Sequence, residues 1–258
     1  MISSICAVLL AACPPPDPCP AGGDTLRLHV GSAEVRGSIY PPHFARNRVY
    51  RGPEGSPPAT SWTNELTLAD SAGRRVMRWV TRGTRLSPAG DSVHWVLRQT
   101  YDANTLAPYA YANTSSDGAF TVLTIDGTRV RGSRRPAGDS AAVQQVDLTL
   151  DQPAFIASAS DLVPLAVGLC EGLVMTAPVW GPAMSNAEVR VFSVPGRQRV
   201  RVEGAWVDSW KVEERVERDG RLVATWYLTE HSPYMVYAEV PLPNGQVQRM
   251  TGVSLDPD

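Results

Sequence analysis

Lysine is almost missing from this chain. Lys211 stands alone among 24 basic residues, the rest being arginine, and no glycine-rich loop precedes it, which excludes a P-loop for nucleotide phosphates. Histidine is scarce as well: His29, His43, His94 and His231 are dispersed, with no i, i+4 pair and no cysteine or carboxylate cluster at zinc spacing. No metal is therefore expected, and no cofactor fingerprint is found. A net charge of −2 without a basic excess argues against nucleic acid as a partner. The apolar stretch ending at Cys13 is too short to cross a bilayer, which takes about 20 helical residues.

That same stretch closes on Leu10-Ala11-Ala12-Cys13, followed at once by Pro14-Pro15-Pro16, and this looks like a bacterial lipobox. Lipoprotein processing needs a thiol to carry the diacylglyceryl group and small residues just before it, so Cys13 is the candidate lipidation site. The sequence accordingly divides into a signal peptide (1–12), a lipidated cysteine with a Pro-rich tether (13–23), and one antiparallel β domain (24–258). Five prolines between Pro14 and Pro20 favour an extended spacer of about 3.1 Å per residue. The expected location is the periplasmic side of the cell envelope, with the membrane as a partner through the anchor. Cys6 leaves with the signal, and Cys19 and Cys170 remain. Either these two pair in an oxidising compartment, or one is a tether thiol and the other a small buried residue.

From Asp24 onward the pattern has period two, not the 3.6 of helices. Asp117-Gly118, Asp126-Gly127, Asp219-Gly220 and Asn244-Gly245 supply positive-φ turn positions between alternating runs, the mark of hairpins. The clearest hairpin runs from Trp210 to Leu228. Trp210, Val212 and Val216 alternate with charged residues, and beyond the turn Leu222, Ala224, Trp226 and Leu228 do the same. Val93 to Arg98 repeats this grammar, with His94 on the polar face. Pro41 to Ala59, rich in Pro, Gly and Arg, reads as a long surface loop. Ser158 to Gly172 reads as the single short helix, with Ser160 as its cap and Gly168 at its end. The fold expected is mainly β: a strongly curved antiparallel sheet or partly closed β-barrel, with one short helix packed at its mouth.

Asp102-Ala103-Asn104-Thr105-Leu106-Ala107-Pro108, then Asp126 to Gly132, then Pro153-Ala154-Phe155 leading into Asp161 to Leu165, resembles the DUF3108-like bacterial envelope proteins. The closing strands, around Val202-Glu203-Gly204, Trp210 to Glu213 and Thr225 to Leu228, resemble that family too. The resemblance spans about Glu65 to Leu255 and implies a curved sheet similar in outline to the LolA and LolB lipoprotein carriers. It brings no catalytic residues. Gly168-Leu169-Cys170-Glu171-Gly172 fits a nucleophile elbow with Cys in place of Ser, but that motif needs a strand before it and a helix after it. Here the order is reversed, so the protein is expected to be no enzyme.

Two functions of different class follow. In the first, the concave face of the sheet, lined by Trp95, Phe120, Val122, Trp226 and Tyr237, encloses an apolar small molecule or lipid such as an acyl chain. In the second, the core is filled and the protein docks another envelope component, with Arg46, Arg48 and Arg51 as the contact. The sequence names no protein partner.

Overall fold

In a computed structural model the described residues are 24–256 apart from 52–54, 72, 88–89 and 139–140. Eight strands follow one another as a meander: β2 (His43–Arg51), β3 (Thr60–Ser71), β4 (Arg74–Leu86), β5 (Ser92–Asp102), β6 (Pro108–Ser115), β7 (Phe120–Asp126), β8 (Arg129–Arg135) and β9 (Gln144–Thr149). A second meander comprises β11 (Val174–Trp180), β12 (Glu188–Val202), β13 (Ala205–Val216), β14 (Leu222–Leu228), β15 (Met235–Pro241) and β16 (Val247–Ser254). Pairing of β16 with β2, from Gln248↔Arg51 to Ser254↔Ala45, joins the two into one sheet, 16-stranded when two further short strands are included. Two short strands, β1 (Leu26–Arg27) and β10 (Phe155–Ile156), run parallel to β11. The path ends at β9 on the other side, so the sheet is curved but open.

The four expected turns all form, with Gly118, Gly127, Gly220 and Gly245 at positive φ. The surface loop expected from Pro41 to Ala59 does not: it contains β2 and leads into the start of β3. Its inward side chains are His43, Ala45, Asn47 and Val49, and its outward ones include Arg46 and Arg48. Two of the four inward residues are polar, so the burial alternates while the hydrophobicity does not.

The helix is shorter than expected. A 3₁₀ turn at Ala157–Ala159 precedes α1 (Leu162–Val167), which ends at Gly168 with φ 98°. Ser160 does not cap it; its hydroxyl donates to Glu214 Oε2 at 3.0 Å. A buried carboxylate without donors costs more than one uncapped turn of helix. Leu162, Val163, Pro164, Leu165 and Ala166 are all buried, so the helix plugs its end of the sheet as part of the core. Tyr40 Oη donates to the Leu162 carbonyl at 2.5 Å. The same core cluster contains Tyr101, Phe155, Ile156, Met175, Phe192 and Leu228, each no more than 2% exposed. Residues 36–37 tie this plug to the β5–β6 turn, through Arg36 N–H to Ala166 O at 2.8 Å and Gly37 N–H to Asn104 O at 2.6 Å. The opposite end, at the β4–β5 and β6–β7 turns, lies away from the helix.

Candidate ligand-binding site

Strand register decides which of the candidate residues share a face. On β5 the inward side chains are Val93, Trp95, Leu97 and Gln99, because Gln99 pairs with Trp79 and Tyr111, both core residues. Trp95 therefore belongs to the inner face, near the open end. Its pair on β4 is Gly83, and a Cβ there would lie 2.5 Å from Trp95 Cζ2 and 2.9 Å from Trp62 Cβ. The missing side chain lets the Trp95 indole lie across the strand, beside Trp62 at 6.2 Å between centroids. A recess of about 460 Å³ opens on Trp95, lined also by Arg85, Asn113, Ser115, Thr121 and Arg135. Phe120 joins its rim, and the Arg135 guanidinium stands 5.3 Å from the Phe120 ring centroid.

The recess is polar as well as aromatic. Asn113 Oδ1 is buried with no hydrogen-bond partner. Asp117 pairs with Arg85 at 2.8 Å, and the Ser115 hydroxyl, the Ala119 N–H and Arg85 hold its carboxyl below the usual range. Arg135 donates through Nε and Nη2 to the Gly118 carbonyl, at 2.9 and 2.6 Å, and makes no ion pair among the described residues.

The remaining candidates lie elsewhere. Val122 is on the outer face, 45% exposed. Trp226 faces the interior, where its Nε1–H donates to Glu214 Oε2 at 2.9 Å. Tyr237 pairs with Tyr227, one residue out of phase with Trp226, and so lies on the outer face. The five thus do not form one surface: Trp95 and Phe120 line one recess, Phe120 from its rim, and the other three do not join them. Cys13 lies outside the described residues. Cys170 is disulfide-bonded, so it holds no free thiolate for nucleophilic work.

Tyr237 belongs to a second groove of about 580 Å³, lined also by Tyr50, Tyr227, Trp206, Arg199 and Glu239. It exists because β12 breaks register between Ser193 and Gly196, so its distal half, with β13, folds over the outer face. Val200 and Val202 cover Tyr227 and Val236, and Glu203 at the hairpin tip binds Arg46 at 3.1 Å and Arg48 at 2.7 Å. Arg51 instead bonds the Gln248 side chain.

Sequence reasoning missed the polar centre inside the core. Glu214, 2% exposed, accepts from Ser160 and Trp226 and lies 3.4 Å from Arg190, itself 2.9 Å from Glu188. Burial raises the Glu214 carboxyl. Nearby Asp161 is pushed up to about 7 by burial, and the Glu214 charge adds to this. Position 214 keeps the inward phase of Val212 and Val216, the one signal that could have revealed a buried acid. Among the described residues no group of three or more His, Cys, Asp and Glu is placed to hold a metal ion.

Fold and recess together define a mainly antiparallel β protein whose curved, open sheet ends on an aromatic and polar recess. The chain belongs to the family of proteins of unknown function DUF3108, whose model matches residues 59–251. No curated protein matches it. Among solved structures it is similar to a β-barrel-like protein of the domain of unknown function DUF1849 from Brucella abortus. Identity there is 9%, the TM-score is 0.44, and the match covers 83% of this chain and 98% of the other. It is also similar to a DUF1089 family protein from Pseudomonas aeruginosa, with 15% identity, a TM-score of 0.38, and 72% and 92% of the two chains covered.

Proposed function

We propose that this chain is a lipid-anchored protein of the bacterial cell envelope, on the periplasmic side, that binds a small ligand without transforming it. The anchor rests on the small residues before Cys13 and the Pro-rich run after it. Its test is metabolic labelling with an alkyne fatty acid: wild type is labelled, and Cys13→Ser abolishes the label. A labelled serine variant overturns it.

The binding reading rests on one observation, the Trp95 indole laid across Gly83 with a recess of about 460 Å³ opening on it. A tryptophan left half-buried at the mouth of a sheet, shaped by a glycine that would otherwise weaken the strand, is a preformed platform. The packed residues around α1 favour this end over an acyl-chain cavity beneath the helix. Native mass spectrometry of protein purified from the envelope is expected to show a non-covalent adduct that Trp95→Ala loses. Wild type without an adduct, or an adduct kept by the variant, overturns the reading.

A second reading, docking of another envelope component, is favoured by the outer groove, whose hairpin holds Trp206 61% exposed. Arg46 and Arg48 serve this reading as clamps on Glu203 and not as the contact itself.

A further inference from the structure

The recess at Trp95 does not end there. A second one, of about 340 Å³, is lined by Thr121, Leu123, Arg134, Val146 and Trp180 among others, and Thr121 lines both. The two adjoin at this one shared residue, the first toward the β6–β7 turn and the second toward β9 and the end of β11. Along the trough they make stand an indole face at Trp95, amide and hydroxyl groups at Asn113, Ser115 and Thr121, the Asp147 carboxylate already paired with Arg129 at 3.0 Å, and two arginines consecutive on β8, Arg135 in the first recess and Arg134 in the second. Arg134 donates to Gln144 Oε1 at 3.0 Å and Arg135 to the Gly118 carbonyl. Neither has a carboxylate partner among the described residues, and a guanidinium has five N–H donors, so both keep donors for a ligand.

We propose that this trough binds an anionic oligosaccharide, a chain of sugar units carrying carboxylates; the proposal rests on the binding reading above and names its ligand class. The C–H face of a pyranose ring is flat and apolar and packs on an indole, while its hydroxyls need donors and acceptors such as Asn, Ser and Thr supply. A sugar acid adds a carboxylate, the group whose geometry a guanidinium matches in a bidentate pair. An acyl chain would leave these polar groups dry and unpartnered, at a cost for each. A nucleic acid would also stack and bind arginine, but it needs a broad cationic field, and this chain carries a net charge of −2. The trough also differs from a single pocket in length: two joined recesses suit several ring units in a row.

The test is titration of the purified protein, followed by tryptophan fluorescence and calorimetry, with four probes: trigalacturonate, neutral chitotriose, dodecanoate and pentathymidylate. Trigalacturonate is expected to bind saturably, at least tenfold more tightly than chitotriose. Trp95→Ala, Arg134→Gln and Arg135→Gln are each expected to weaken it at least tenfold at unchanged melting temperature. Trp95→Phe, which keeps a ring, should fall between wild type and Trp95→Ala and guards against a folding defect. Equal affinity for chitotriose overturns the anionic assignment. Trp95-dependent binding of dodecanoate or pentathymidylate in place of trigalacturonate overturns the ligand class and leaves the binding reading standing. If no probe binds while wild type still carries an adduct lost in Trp95→Ala, the class alone fails; if neither is seen, both fail.

Discussion

At the scale of single residues, the decisive ones are acids the core has swallowed. Glu214 accepts from Ser160 and Trp226 and faces Arg190, which is 7% exposed. Arg190 keeps Glu188 at 2.9 Å when Glu214 is removed, so the loss is the acceptor for the buried Ser160 and Trp226 donors, at about 1–3 kcal/mol. Glu214→Ala is expected to lose that much in urea denaturation, and Glu214→Gln, which keeps the shape and one acceptor, distinctly less. Asp161 behaves differently. It is half-buried by its own surface but set among densely packed neighbours, and its carboxyl rises from 3.8 to about 7. Between those values the folded chain keeps a proton that the unfolded chain has released, so stability falls as pH rises from about 4 to 7 and is level above. Three pKa units correspond to about 4 kcal/mol as an upper limit. Asp161→Asn mimics the protonated form: it should be more stable than wild type at pH 8, with the advantage gone at pH 4. An advantage independent of pH would refute this.

At the scale of elements, the β12–β13 hairpin is the unusual one. Its tip is a two-residue turn, with Glu203 at φ 47° and Gly204 at φ 95° between the paired Val202 and Ala205. Both central residues lie at positive φ, the type I′ geometry that matches strand twist. The tip is held to β2 by Glu203 with Arg46 and Arg48, pairs worth about 1 kcal/mol or less each where water reaches them. Glu203→Arg should therefore free the tip without unfolding the protein. Hydrogen exchange over residues 198–207 is expected to rise, and the melting temperature to move by only a few degrees. Of this hairpin's two strands β13 is legible in the sequence, because Val212 and Val216 alternate with charge in the hairpin it forms with β14, as are the four Asx-Gly turns. Strand β2 is not. Its inward His43 and Asn47 are as polar as several of its outward neighbours, and only pairing with β3 and β16 assigns their direction.

At the scale of the whole molecule, β2 is the closure between two meanders. A single sheet with one main core predicts one cooperative transition, and calorimetry should find equal calorimetric and van't Hoff enthalpies. Two resolved transitions would mean that the meanders unfold apart. Alternation, turn dipeptides and composition by themselves determined that the chain is a mainly antiparallel β protein with a short helix, since period two and positive-φ turns are local properties of the backbone. They also singled out Trp95 and Phe120. Only the tertiary structure decided that these two line one recess with Arg135, that Val122 and Tyr237 lie on the outer face, and that Glu214 lies inside with Asp161 at the margin of the core. The reason is physical: register and sheet curvature set which side chains share a face, and both arise from pairings between residues as far apart in sequence as Arg51 and Gln248.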